Sequence, residues 1–479
     1  MADTIYDILV SSNVYVEVFK ETMPLLIAGT LLHLHYNNRI TALEAILYAF
    51  ATEAYTMLKV GPTFTATFFV SVAFLVEQIH LFIKGEIYVR RKFLLLLILP
   101  ALSSIVIFLI VQFYKDPFYY PPGKQAAFYL RPFYFYIKTY LPLFAIGAKI
   151  LQDKEQISFD FFADVMKRIA KFSFVIALLQ IFCQIVLRNE TLGEILGLQR
   201  RYMIEASTFI FSIRVQALFG EPKVFSAFLS LCIPLFMKDK EYRMAALALL
   251  MGILTVSQTF WINMLSAALV FMVVSRISST RLKIAGTLGI IIGLFLVIAE
   301  SKDYFIKLYA KNQNSTMYQL VFKRSVYRYD NTIWQKNNVI MGMPLQRDME
   351  LPVVDFFRDQ PYLLLSGYGA GNSTFIPAQY FFGQMNYENR LNGIGGHNLN
   401  MRWFYIMAEF GIFSLIIFFT ILTQTRSDIP LFQGSYFAFI WVCFFFSQID
   451  LFLIITALLC TYDPDASPAL TVYKPEHSY

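Results

Sequence analysis

The sequence predicts an all-α polytopic membrane protein of about 12 or 13 transmembrane helices, with one large folded extracytoplasmic loop. Three observations carry this. Of 479 residues, 57% are apolar and 15% charged, against about 25% charged in soluble domains, and the mean hydropathy is +0.54. Several runs approach or exceed the roughly 17–25 residues that cross a bilayer, among them "KFLLLLILPALSSIVIFLIVQFY" (92–114) and "WFYIMAEFGIFSLIIFFTILTQ" (403–424). Basic residues fall in short clusters between these runs, as membrane topology places them.

In chain order, spans are expected at 22–36, 41–60, 64–83, 93–114, 128–149, 169–187 and 223–237. Further spans follow at 244–276, 284–300, 403–424 and 434–460. The first 20 residues leave room for an interfacial helix. The run 244–276 is too long for one upright span and short for two. The basic links "KDKEYR" (238–243) and "SRISSTRLK" (275–283) on either side both read as cytoplasmic, so a tight hairpin is expected between them. "KGEIYVRRK" (84–92) and the 149–171 segment would also face inward, leaving 115–127, 188–222 and 301–402 outside. The chain divides into a helix bundle (1–300), a large loop or cap (301–402), C-terminal helices (403–460) and a polar tail (461–479). The cap is rich in tyrosine and holds apolar pieces such as "PYLLLSGYGAG", which argues for a folded unit.

Composition also excludes. The net charge of +7 is a topology signal and implies no nucleic acid. The start "MADTIYDILV" lacks the basic region and compact apolar core of a cleaved signal peptide. Cys183, Cys232, Cys443 and Cys460 sit inside apolar runs without metal-site spacing, so neither disulfide nor cluster is expected. His33, His35, His80 and His477 are scattered, and no HExxH, GxSxG or outer-loop DxD occurs. No metal and no cofactor is expected. A nucleotide-dependent transferase is disfavoured too, because every cytoplasmic link is short.

Three stretches bear chemistry. His397–Asn398 precede the 403–424 run, where Asn398 or Asn400 suits a helix N-cap. The positive end of the helix dipole there disfavours protonated imidazole, as a general base requires. The plainer reading is an interfacial histidine bonded to a loop. Arg214 lies in "TFIFSIRVQALF" ahead of Pro222, where a cation needs an anion or water. Its planar fork suits phosphate, and snorkelling to headgroups is the plainer reading. "GYGAGNSTF" (367–375) has the wrong spacing for a dinucleotide fingerprint and no Walker lysine, so a structural turn is the safer reading. A nest of backbone amides for an anion is the other.

Together these stretches resemble the O-antigen polymerase and O-antigen ligase family of bacterial inner membranes. The family pattern is an arginine before G-x-F-x-x-P-N, a periplasmic loop with a G-x-G patch, then H-N leading into A-E-x-G-I. The corresponding residues are Arg214 with Phe219, Glu221 and Pro222, then Gly367 to Phe375, then His397–Asn398 with Ala408, Glu409, Gly411 and Ile412. The match covers 212–236 and 367–415; elsewhere it is one of hydropathy. Lys223 stands where the family often has asparagine, and "TVSQTFWINML" (255–265) lacks a serine–arginine often seen there.

The resemblance implies a GT-C-like bundle in the bacterial inner membrane, its active site facing the periplasm. It implies metal-independent transfer of a glycan from undecaprenyl diphosphate to a sugar hydroxyl. His397 would then be the general base and Arg214 the diphosphate holder. Arg402, Arg200, Arg201, Arg324 and Arg328 would be further cations, with Asn398, Gly367, Gly369 and Tyr368 near substrate and tyrosine rings as sugar platforms. A chain-length regulator protein is an expected partner beside the bilayer and the lipid-linked glycans. Polymerase is favoured over ligase because the outer loop is long and conforms weakly. A flippase or other transporter predicts ionisable residues inside helices or paired repeats. Mid-span charges are few (Glu44, Glu53, Glu77) and no repeat is visible.

Overall fold

The computed structural model describes residues 14–57, 64–84, 125–137, 141–152, 158–199, 214–277, 279–300, 356–376, 407–416 and 429–446, with a few isolated positions besides. Long apolar runs form helices throughout, even across Pro24 in 14–36 and Pro234 in 222–238, and pack around one continuous apolar core. In order these are α1 (Val14–Tyr36), α2 (Ala42–Phe50), α3 (Ala66–Ile83), α4 (Gln125–Phe135) and α5 (Leu141–Gln152). Then come α6 (Phe159–Ile181), running on as a π-helical turn to Leu187, and α7 (Glu190–Ile195). Next are α8 (Pro222–Lys238), α9 (Tyr242–Leu254), α10 (Gln258–Val273) and α11 (Thr280–Glu300). After a two-residue antiparallel ladder, Val339–Ile340 with Met343–Pro344, follow α12 (Met407–Ile416) and α13 (Leu431–Phe446).

Among the described residues, Ala66–Ile83, Phe159–Leu187 and Thr259–Arg276 are long and apolar enough to cross a membrane. Shorter apolar helices accompany them, including Leu141–Ile150, Tyr242–Leu254 and Leu282–Leu294. This is an all-α membrane protein.

Several boundaries differ from expectation. The expected span 41–60 is a nine-residue helix, α2, followed by turns over 51–54 and a bridge from Met57 to Phe64. The expected 128–149 span is two helices, and the one expected at 169 begins at Phe159 behind an N-cap bond from the Phe161 amide to Ser158 Oγ, 3.1 Å. The run 244–276 does turn, at 255–257, and both limbs lie against α8. The expected spans at 93–114 and most of 403–424, and the polar tail, lie outside the described residues.

Charge separates the two ends of this bundle. At one end Lys167 meets Asp164 at 2.9 Å, Glu241 at 3.5 Å and also Asp239, while Lys171 meets Glu241 at 2.6 Å. Arg168 meets Glu44 at 3.0 Å, and Lys238 meets Asp160. These are links whose basic residues mark one common side in the sequence. At the other end the chain leaves helical geometry four times, and those segments bind one another.

Candidate functional site

The non-helical layer consists of the α2–α3 turn, residues 195–199, residues 214–221 and the 255–257 turn. It is closed by main-chain bonds: Ala54 N to Leu218 O at 2.7 Å and Val215 N to Leu254 O at 3.1 Å. The Tyr55 hydroxyl donates to Ile195 O at 2.7 Å. Backbone that has left a helix inside an apolar bundle must find partners, since an unmet buried amide or carbonyl costs about 1–3 kcal/mol.

Glutamines supply most of them. Gln180, projecting from α6 and fully buried, donates to Leu196 O at 2.8 Å and Ala217 O at 2.7 Å, and accepts from Ala217 N at 3.0 Å. Gln216 donates to Gly197 O and Phe219 O, and Gln199 to Gly220 O at 2.7 Å. Ala217 (φ 49) and Val256 (φ 49) are held in the left-handed region, which costs a non-glycine residue on the order of 1–2 kcal/mol. A β-branched residue there is a genuine outlier. Such strain collects where surrounding structure has another use for it. Sequence reasoning missed Gln180, although a glutamine in "FVIALLQIFCQ" is a polar group inside an apolar helix, itself a signal. Gln180→Ala should therefore strip those three bonds and a fourth, from Gln216 N at 3.4 Å, and lower stability by about 3 kcal/mol or more. A thermal-unfolding midpoint in detergent equal to wild type would refute this.

Arg214 sits in the same layer. Its side chain is 3% exposed, and Nε donates to Thr255 O at 3.1 Å. This corrects the snorkelling alternative, because the guanidinium is turned into the protein. Thr255 immediately precedes the strained Val256, so the charge is gripped by the most constrained part of the α9–α10 turn.

The glycine patch meets a different element. Gly367 (φ 74), Gly369 (φ 101) and Gly371 (φ 75) all take positive φ, as alternating glycines permit. Tyr368 N donates to Ala408 O at 2.8 Å and Gly369 N to Glu409 O at 3.0 Å. The turn thus docks on α12, where Gly411 (φ 82) breaks the helical backbone. Two stretches of the family pattern, far apart in sequence, are in main-chain contact. Those amides are spent on the docking, which favours the structural turn over the anion nest. Tyr368 is fully buried, its ring 5.2 Å from that of Phe128 on α4 and 5.0 Å from that of Phe356, both edge-on. It packs as core and not as an open platform. Asn372 extends the link, donating to Phe128 O at 3.1 Å.

His397, Asn398, Arg402, Arg200, Arg201, Arg324 and Arg328 lie outside the described residues. Among the described residues no three His, Cys, Asp or Glu side chains gather to hold a metal ion. No protein-family model, curated protein or solved structure matches this chain, so its function is argued from its own residues.

Proposed function

We propose that this protein is a bacterial inner-membrane glycosyltransferase that polymerises undecaprenyl-diphosphate-linked oligosaccharide repeat units at the periplasmic face. One observation carries the reading: a guanidinium buried in a non-helical layer at the end of the bundle opposite the ion-pair network. A cation so placed among apolar helices is costly unless it meets an anion, backbone carbonyls or water, and a guanidinium suits a diphosphate. The order of the three sequence stretches, and the docking of the glycine turn onto α12, lend further support.

In this reading the lipid tail lies among the helices and the diphosphate reaches Arg214. His397 takes the proton of the acceptor hydroxyl as its oxygen attacks the anomeric carbon. The bond to the diphosphate breaks, and Arg214 with Arg402 balances the charge that grows on the leaving group. Transfer onto lipid A–core, a ligase reaction, uses the same chemistry with another acceptor. A chain-length regulator would act beside the polymerase.

Deletion of the gene, complemented with wild type or His397→Ala, tests this. The deletion should accumulate single lipid-linked repeat units on the periplasmic face, and His397→Ala at normal protein level should leave them unjoined. Full-length chains stranded on undecaprenyl diphosphate would mean a ligase. Units held on the cytoplasmic face would overturn both. Full complementation by His397→Ala would remove the base.

A further inference from the structure

Four carboxylates of the bundle and its non-helical layer can be compared directly. Glu44 meets Arg168 at 3.0 Å, Glu77 meets Lys149 at 2.5 Å, and Glu194 meets Lys20 at 3.3 Å. Among the described residues Glu53 meets no cation. Its Oε1 accepts from Thr67 Oγ1 of α3 at 2.9 Å, and no bond from another described residue falls on its second oxygen. The residue is half-buried, in the turn that follows α2.

Its position is set by the layer that holds Arg214. The Ala54 amide beside it is bonded to Leu218 O, and the space a side chain on Gly220 would occupy lies 3.3 Å from Glu53 O and 3.7 Å from its Cβ. A Cβ at 220 would be a tight fit against Glu53 O, so the glycine eases this close approach. The other described titratable groups of the layer have partners or exposure of their own. Arg214 donates to Thr255, Tyr55 to Ile195, Glu194 pairs with Lys20, and Glu221 is exposed at the start of α8. Burial pushes the Glu53 carboxyl up to about 7, with the Thr67 bond pulling the other way. Where the other three carboxylates meet cations, this one has only the Thr67 hydroxyl among the described residues, and it lies beside the layer that holds Arg214.

We infer that Glu53 is a glycan-binding residue, its second oxygen accepting a hydrogen bond from a sugar hydroxyl of the lipid-linked substrate. This rests on the reading of the layer as a diphosphate-glycan site. The chemistry suits it: a vicinal or single hydroxyl donates well to a carboxylate, and such charge-assisted bonds exceed neutral ones about twofold in strength. Binding then requires the ionised form, so affinity for the glycan rises with pH through about 7.

The test uses membranes of the deletion strain, which carry their own accumulated lipid-linked units, with the full-length protein supplied as wild type or Glu53→Gln. Glutamine keeps the size and still accepts from Thr67. Wild type should consume the units with a KM that falls as pH rises through about 7. Glu53→Gln should raise KM about tenfold, hold kcat within about twofold, and lose the pH dependence. A hydrophobic carbodiimide, which modifies protonated carboxyls, gives a readout independent of turnover. It should label Glu53 more at pH 6 than at pH 8, and the accumulated units should protect against it. Unchanged KM and pH profile in Glu53→Gln, a loss confined to kcat, or labelling that the units do not block would each overturn the inference with the transferase reading intact. If wild type itself consumes no lipid-linked glycan, the reading falls and the inference with it.

Discussion

Gly367→Ala is expected to prevent the glycine turn from docking on α12 and to cost on the order of 4 kcal/mol or more. A Cβ there would stand 2.4 Å from Glu409 O and 2.5 Å from both Glu409 C and Phe410 N. These are backbone atoms and cannot swing aside. The φ of +74° adds a conformational penalty of its own. Relief requires the two segments to part, which breaks the buried bonds to Ala408 and Glu409. Typical domains have only about 5–15 kcal/mol in total. Gly289→Ala is the control: nothing lies within 4 Å of its Cβ, and it sits inside α11, where alanine is the better helix former. Protein level and thermal midpoint in detergent should fall sharply for the first and stay level or rise for the second. Equal behaviour of the two variants would dismiss the docking argument.

Replacement of Arg214 should have the largest effect on turnover. Arg214→Gln keeps a donor for Thr255 but removes the charge, and should lower glycan transfer about 100- to 1,000-fold, the usual effect of losing one preorganised electrostatic contact. Arg214→Lys restores charge without the planar fork and should recover only part of the rate. Both should be present at near-normal levels. Wild-type transfer by Arg214→Gln would show that this cation serves structure and not the leaving diphosphate.

The same residues show how far sequence reading reaches. Hydropathy found α3 and α8 within a few residues, because each is a continuous apolar run and helix formation in such runs is local. It failed at 41–60. Ala51, Ala54 and Tyr55 are apolar and buried, so a window average passes smoothly across the turn they form. The hairpin at 255–257 was legible only through charge, since its flanking basic links demanded a return. Tyr368 is expected near substrate in the sequence, because its place in the loop says nothing of Phe128, some 240 positions earlier.

Composition, hydrophobic run length and the placement of basic residues therefore determined, by themselves, that this is an all-α membrane protein. They also marked Arg214, the glycine patch and His397 as the residues with chemistry to offer. These are properties of single residues and short windows. Tertiary structure decided the partners: that Arg214 turns inward to Thr255, that Gln180 bridges 196 and 217, and that the glycine turn is spent on α12. It also decided that, among the described residues, Glu53 alone of these four carboxylates meets no cation. Hydrogen bonds and ion pairs form between groups brought together by packing across tens to hundreds of residues, and no local pattern encodes which groups those will be.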